Sequence, residues 1–366
     1  MPKTACGESS SSAKTEYNSI DLFKFIMALC VVAIHTNPMA NCSNVFLNRV
    51  YENTVNCAVP FFFLSSGYLL AKRLDWPYDQ VDRLSQKGTS YIIYIYIYIY
   101  KILRLYLFWS LIYLPVAVIG YSRAGYSIID GTIHYLRRFL FFGGQIDSEF
   151  LWYLLSTIYA MLLIVFCLKK HISPCGITLI CLLIMLVSIG LDVFTGFESV
   201  FGLESLAPVL GRSLTNLIEH IARLISITVE DGRIFRGAFY IPCGMLLASK
   251  NIPLRINALV LCAGFIVSCL IDSFVFRSCM QVVISVTLFQ LLLSIRLSSS
   301  RIYPFLRKMS KRIYFLHMYV LILLGALGWI EKGAGVKCFV ATAFITIVIS
   351  FILSTIDWKK EEEAAV

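Results

Sequence analysis

The sequence predicts an all-α polytopic integral membrane protein of about ten transmembrane helices, and three observations carry that expectation. Hydrophobic residues make up 58% of the 366 and charged residues only 15%, with a mean hydropathy of +0.76, far more apolar than a soluble domain. Apolar windows of about 20 residues, long enough to cross a ~30 Å hydrocarbon core, recur along nearly the whole chain. The cations are also unevenly spread. With both termini in the cytoplasm, twenty Lys and Arg fall on the inner side and eleven on the outer, and Lys24 completes the 32, in agreement with the positive-inside rule.

Residues 1–19 are polar and Ser-rich and read as a disordered cytoplasmic tail. The apolar stretch that follows carries Asp21 and Lys24 and lacks a small-residue cleavage site, so it is expected to stay as the first span rather than leave as a signal peptide. Spans are expected at 20–39, 57–71, 102–120, 150–168, 175–195, 234–249, 256–275, 278–295, 312–330 and 338–356, the second and sixth being short. Before the third lies Tyr91 to Tyr100, YIIYIYIYIY. As a strand it would part Ile from Tyr. As a helix, the preferred reading, it has no polar face and lengthens the third span at the inner interface, where Tyr is favoured. Two outer connections, 121–149 and 196–233, are long. The second sets Leu214, Leu217, Ile218, Ile221, Leu224 and Ile225 at helical spacing around Arg212, Glu219, His220 and Arg223, the pattern of an amphipathic helix lying on the membrane. Residues 20–356 thus form one ten-helix domain, and 357–366 a short cytoplasmic tail.

The net charge of +10 follows from this topology. Its cations are dispersed over many short loops, so no nucleic-acid surface is expected. Most of the twelve cysteines lie inside spans as small apolar residues. With no C-x-x-C pair and no Cys/His grouping at metal spacing, neither a metal nor a permanently bound cofactor is expected. Cys42 and Cys57 flank the first outer loop and could bridge it. Nine of the eleven outer cations are Arg, whose planar fork binds carboxylate or phosphate bidentately. They suit an outer vestibule for a polar or anionic acceptor, or simple interfacial anchoring.

Ionisable residues inside a span are costly and usually mark a site. Lys24 and His35 are eleven residues apart, about three helical turns, which puts them on one face roughly 16 Å apart along the axis. Asp21 lies one turn before Lys24, close enough to pair with it. His35 precedes Thr36, Asn37 and Pro38, where the helix breaks near the outer leaflet, and an imidazole there can take a proton from a hydroxyl near neutral pH. His317 is the other span histidine, suited to orienting an acceptor, bonding to His35, or tying helices together. Ser65, Ser66 and Gly67 favour close helix packing. Trp152 and Tyr153 suit either stacking on a sugar or the interfacial aromatic belt.

These residues also carry a resemblance. IDLFKFIMALCVVAIHTNP resembles the first span of the acyltransferase 3 family of integral membrane acyltransferases, marked by a basic residue, ten residues, then His; here Lys24 and His35 match. In order along the chain, VPFFFLSSGYLL at 59–70, RLYLFWSLIYLP at 104–115, FLWYLLSTIYA at 150–160, the stretch from Arg233 or Arg236 to IPCGMLL, and KMSKRIYFLHMYVL at 308–321 are similar to further segments of that family. Phe150 stands where the family often has His.

The resemblance implies transfer of an acyl group, most often acetyl, from cytoplasmic acyl-coenzyme A to a hydroxyl of an extracytoplasmic carbohydrate or other cell-envelope molecule, in a bacterial cytoplasmic membrane. On that expectation Lys24 and Asp21 serve the donor, His35 and His317 the chemistry, and Trp152, Tyr153, Arg233 and Arg236 the acceptor. Met27, Ala28 and Val31 would form an apolar groove for a pantetheine-like arm between the two ends. The alternative function is a transporter of a small molecule such as an amino acid, against which stands the lack of paired, Gly/Pro-broken halves. Acceptor identity, acyl length and oligomeric state are not readable from the chain.

Overall fold

The structure is a computed structural model that describes residues 17–76, 81–201, 211–217, 220, 235–249, 253–330 and 335–363. Among them no strand occurs. The helices are α1 (Asn18–Thr36), α2 (Val45–Val55), α3 (Ala58–Leu74), α4 (Val81–Arg123), α5 (Ile128–Phe141), α6 (Trp152–Lys169), α7 (Pro174–Phe201), α8 (Arg236–Leu247), α9 (Leu254–Leu270), α10 (Phe274–Leu293), α11 (Ile302–Ala326) and α12 (Gly335–Glu363), with a 3-10 turn at Glu149–Leu151. Each of the ten expected spans falls on one of these helices, while α2 and α5 lie in connections.

Among the described residues six segments are long and apolar enough to cross a membrane by length and composition: Asn18–Thr36, Val45–Leu74, Lys87–Arg123, Glu149–Lys169, Val275–Leu293 and Gly335–Glu361. Pro174–Gly190 and Leu254–Leu270 are apolar but shorter. Ten crossings are not reached by that measure, for physical reasons. Helix α8 has only 12 residues, and α11 carries Arg307, Lys308, Lys311 and Arg312 in its first half. Of the amphipathic helix expected in the 196–233 connection, residues 212–217 are helical; Ile218, Glu219, Ile221, Arg223, Leu224 and Ile225 lie outside the described residues.

Helix α1 is central, packing against α11, α12, α3, α2 and α10. Helix α12 buries a row of small hydroxyls within the bundle, and Ser354 at its end accepts from Arg312 of α11 at 2.6 Å. Thr342, Thr346, Ser350 and Ser354 recur every four residues, are all fully buried, and so form one stripe that lets helices approach closely. The tightest crossing joins α3 to α8. A Cβ on Gly67 would sit 1.9 Å from the carbonyl oxygen of Ile241, and one on Gly244 2.1 Å from that of Leu64, so only glycine fits on either side. The Ser-Ser-Gly interruption of the second span is therefore a packing feature at Gly67.

The Tyr-Ile repeat is helical, within α4. Tyr91, Ile95 and Ile99 are buried, while Ile93, Tyr96, Ile97 and Tyr100 are exposed, so one i, i+4 stripe suffices to dock a helix with no polar face. The Arg73 guanidinium lies 4.8 Å from the Tyr94 ring centre, and Lys169 Nζ donates to the Tyr96 hydroxyl at 3.3 Å. Cations at the ends of α3 and α6 thus meet a tyrosine belt, as at a membrane interface.

At the opposite end α2 acts as a bracket. Asn44 caps it by accepting from Leu47 N–H at 3.0 Å. The Tyr51 hydroxyl donates to the Ala33 carbonyl at 2.8 Å, and Arg49 reaches the Cys269 carbonyl at 2.9 Å and Asp272 at 2.8 Å. Cys42 and Cys57 are both free thiols; Cys57 is buried and donates to the Asn53 carbonyl at 3.2 Å. Helix α12 runs on to Glu363, into the segment read from sequence as a short tail. Lys308 pairs with Glu361 at 2.5 Å and Arg312 with Asp357, so α11 cations hold residues 357–363 in helix.

Candidate functional site

His35 stands on the last turn of α1. The Thr36 hydroxyl folds back to the Val32 carbonyl at 2.8 Å, and Asn37 then takes a left-handed conformation, φ 37°, with its N–H on the Ala33 carbonyl at 2.8 Å. This is the αL helix stop that Asn tolerates, followed by a proline that cannot continue the helix. The stop leaves His35 on the wall of a cavity of about 410 Å³.

The other walls come from the neighbouring helix ends. Glu52 and Asn53 come from α2 and Asn56 from its C-cap, Glu149 and Phe150 from the 3-10 turn, and Trp152 from the start of α6. Arg236 and Tyr240 come from α8, and Arg277 and Gln281 from α10. The charges are balanced, two carboxylates against two guanidiniums, and Arg277 lies 3.5 Å from Glu52. The amides are held in place from behind. Asn53 accepts from the Ser268 hydroxyl at 3.1 Å, and Gln281 donates to the Asn53 carbonyl at 3.4 Å and to Cys57 Sγ at 3.3 Å. Neutral donors and acceptors beside an indole suit a polyhydroxylated ligand, since each hydroxyl both donates and accepts.

Helix α11 brings His317 to this end. It is fully buried, and its ring centre lies 5.2 Å from that of His35, with 41° between the planes. Its Nδ1 lies 2.8 Å from the Tyr314 carbonyl and 3.2 Å from that of Ile313. Phe150, 2% exposed, meets it edge to face at 5.3 Å, and the Phe150 carbonyl accepts from the Tyr314 hydroxyl at 2.7 Å. The position where the resembled family often has His therefore lies directly on the histidine pair.

At the far end of α1, Asp21 is buried and its carboxylate lies 3.3 Å from Arg307 of α11. Lys24 sits in the field of both, so the expected Asp21–Lys24 pair is part of a three-charge group. Between the two ends Met27, Ala28 and Val31 are buried. Met27 and Ala28 pack against neighbouring helices, Ala28 with Ile313 and Ala343, and the cavity stops at Val31. The expected apolar groove is closed there because small and medium side chains on a central helix are what its neighbours fill against.

Trp152 and Arg236 line the cavity. Tyr153 faces instead into an aromatic cluster with Phe62, Phe63 and Tyr314, its hydroxyl 3.3 Å from Ser66 Oγ. Arg233 lies outside the described residues. Of the other outer arginines, Arg49 and Arg138 tie connections together, Arg138 through the Gly144 carbonyl at 2.9 Å. Glu52, Asn53, Gln281 and Tyr240 gave no signal in the sequence, being ordinary polar residues until three helices and a bracket converge. Among the described residues no group of three His, Cys, Asp or Glu could hold a metal ion.

The family of the acyltransferase domain, acyltransferase 3, matches residues 17–356, nearly the whole chain. The chain belongs to this acyltransferase family. Two curated relatives, both amino-acid racemases of Enterococcus faecalis, are similar over part of it. One is 32% identical over 147 residues, 34% of this chain, and the other 33% identical over 167 residues, 43% of this chain. The match spans 20% of the length of each relative. No solved structure matches. Membership in the family makes this chain an acyltransferase-type membrane protein, and it places the Lys24 and His35 motif inside the matched region.

Proposed function

We propose that this chain moves an acyl group, acetyl in the first instance, from cytoplasmic acyl-coenzyme A to a hydroxyl of a carbohydrate or other cell-envelope molecule on the outer side of a bacterial cytoplasmic membrane. The observation that supports this best is the position of His35, on the wall of a 410 Å³ cavity lined by amides, balanced charges and an indole, at the opposite end of α1 from Lys24. His35 takes the acceptor hydroxyl proton as the oxygen attacks the thioester carbonyl. The carbon–sulfur bond breaks, and the proton passes to the departing thiolate. Lys24 and Arg307 offer positive charge to the donor's phosphates, Lys24 as a point charge. Passage of the donor arm requires α1 to part from its neighbours at Met27 and Ala28, which are packed shut.

The test is release of free coenzyme A from acetyl-coenzyme A by purified protein in lipid vesicles, with an oligosaccharide as acceptor. His35→Ala should abolish release and transfer at an unchanged protein level, and retained acetylation would reject the role. Vesicles that accumulate an amino acid without thioester cleavage would replace this reading with transport. In the bacterium, a mass shift of one acetyl unit between surface glycans of parent and deletion strains would name the acceptor.

A further inference from the structure

Helix α5, in a connection that the sequence places outside the membrane, turns its aliphatic residues away from the protein. Ile129, Ile133, Leu136 and Leu140 share one face at helical spacing and are 51–73% exposed. The other face is the one that packs. Gly131 is buried beside Tyr121, and the Phe139 ring stacks between those of Tyr106 and Tyr135, at 5.2 and 6.1 Å. The charges are held against the protein as well: the Ser127 cap donates to the Asp130 carboxylate at 2.6 Å, Arg137 lies over the Phe142 ring, and Arg138 donates to the Gly144 carbonyl at 2.9 Å. A helix on a surface in water is built the other way round, with its polar face outward.

The contacts also fix where α5 runs. Gly131 lies beside Tyr121 and Phe139 beside Tyr106, and both tyrosines belong to Lys87–Arg123, the part of α4 long and apolar enough to cross a membrane. Helix α5 therefore runs back alongside α4, antiparallel to it, from near its Arg123 end toward its middle. Over the same stretch α4 exposes Leu107, Phe108, Leu111 and Val118, so the α5 stripe adds to an apolar surface. Fourteen residues make about 21 Å of helix, short of a ~30 Å hydrocarbon core. Such a helix can enter the core but not pass through it.

The end of α5 supplies a second, independent observation. A helix leaves its last carbonyls without partners in the helix, and water meets them at a surface but not in hydrocarbon. Here the protein meets them. The Arg138 carbonyl accepts from the Phe142 and Gly143 N–H groups at 3.0 and 2.7 Å, the Phe139 carbonyl from the Tyr106 hydroxyl at 2.6 Å, and the Leu140 carbonyl from the Tyr159 hydroxyl at 2.5 Å. The returning chain is closed in the same way, with Gln145 donating to the Tyr135 carbonyl at 3.0 Å and accepting from the Tyr121 hydroxyl at 2.8 Å. Tyrosines of α4 and α6 thus complete a helix end that has no water to rely on.

We propose that α5 is a re-entrant helix. It dips into the hydrocarbon of the leaflet on the cavity side, with lipid acyl chains against Ile129, Ile133, Leu136 and Leu140, and the chain returns through residues 142–148 to the 3-10 turn that carries Glu149 and Phe150. Lipid therefore supports one wall of the cavity from behind. The inference stands apart from the acyl-transfer reading, since it concerns the surface on which the site is mounted and not the reaction.

The experiment uses the full-length wild-type protein, so no variant has to fold. It is placed in vesicles of phosphatidylethanolamine and phosphatidylglycerol that contain a phospholipid with a diazirine in its acyl chain, either near the head group or near the chain end. After illumination the labelled residues are mapped by peptide mass spectrometry, with exposed Leu111 of α4 as the internal standard. Ile129, Ile133, Leu136 and Leu140 should all take label, and Gly131 and Tyr135 on the packed face should not. The ratio of chain-end to head-group label should be higher at Leu140 than at Ile129, because α5 descends. Label on Leu111 with none on α5 overturns the proposal, whether a second copy of the chain or water covers the stripe. Equal ratios at Ile129 and Leu140 overturn it as well, since the helix would then lie flat at the interface.

Discussion

His35 can lie at the end of a hydrophobic helix because the helix ends there. Asn37 turns the backbone away, Ala33 and Val32 carbonyls receive local donors, and the imidazole meets a polar cavity rather than lipid. The cavity and the Asp21–Lys24–Arg307 group occupy opposite ends of α1, and substitutions at the two should separate. Arg277→Met or Gln281→Leu should raise KM for the acceptor by about tenfold, the size expected for one lost hydrogen bond to a charged or well-fixed group, and leave KM for acetyl-coenzyme A alone. Lys24→Met should do the reverse. Steady-state titration of each substrate at saturating levels of the other measures the difference, and equal changes in both constants would contradict this division of labour. Lys24 and His35 were legible because charge inside an apolar run is conspicuous. Gln281 and Glu52 were not, since nothing distinguishes a polar residue near a helix end until its neighbours are known.

Among elements, the α3–α8 crossing sets the shape of the cavity, since Tyr240 and Arg236 reach it only because α8 lies so close to α3. Gly67→Ala places a methyl on a main-chain oxygen, which no rotamer change relieves. It should cost about 1–3 kcal/mol and lower the unfolding temperature in detergent by several degrees, with Ser66→Ala, one residue away, as the control. An unchanged transition for Gly67→Ala would show that the helices can part without loss. The Tyr-Ile repeat gives the complementary lesson. Its composition left helix and strand open by pattern alone, and its neighbours Arg73 and Lys169, which meet Tyr94 and Tyr96, give the exposed tyrosines partners that the repeat does not contain. The apolar groove expected between Lys24 and His35 failed as an element-scale inference for a related reason: helical spacing tells which side chains share a face but not what is packed against that face.

For the molecule as a whole, large apolar side chains lie exposed on α4, α7, α9 and α12, among them Phe108, Leu111, Leu183, Leu259 and Phe351, as on a surface solvated by lipid. Cysteines report its orientation. In single-cysteine variants on whole cells, a membrane-impermeant maleimide should reach Cys42, which follows α1, and should reach Cys175, exposed in the first turn of α7, only after permeabilisation. The opposite pattern would invert the cavity to the cytoplasmic side and remove the ground for an extracytoplasmic acceptor.

Hydropathy, charge asymmetry and the spacing of Lys24 and His35 determined the class, the order of the helices and one half of the candidate site, because solvent preference and helical periodicity are local properties of a chain. What the tertiary structure decided was the other half: His317 brought against His35 from 282 positions further along, the α2 bracket, and the closing of the groove at Ala28. Those depend on which helices pack together, and ten similar apolar stretches compete for the same partners until glycine contacts, hydroxyl stripes and ion pairs at their ends select one arrangement.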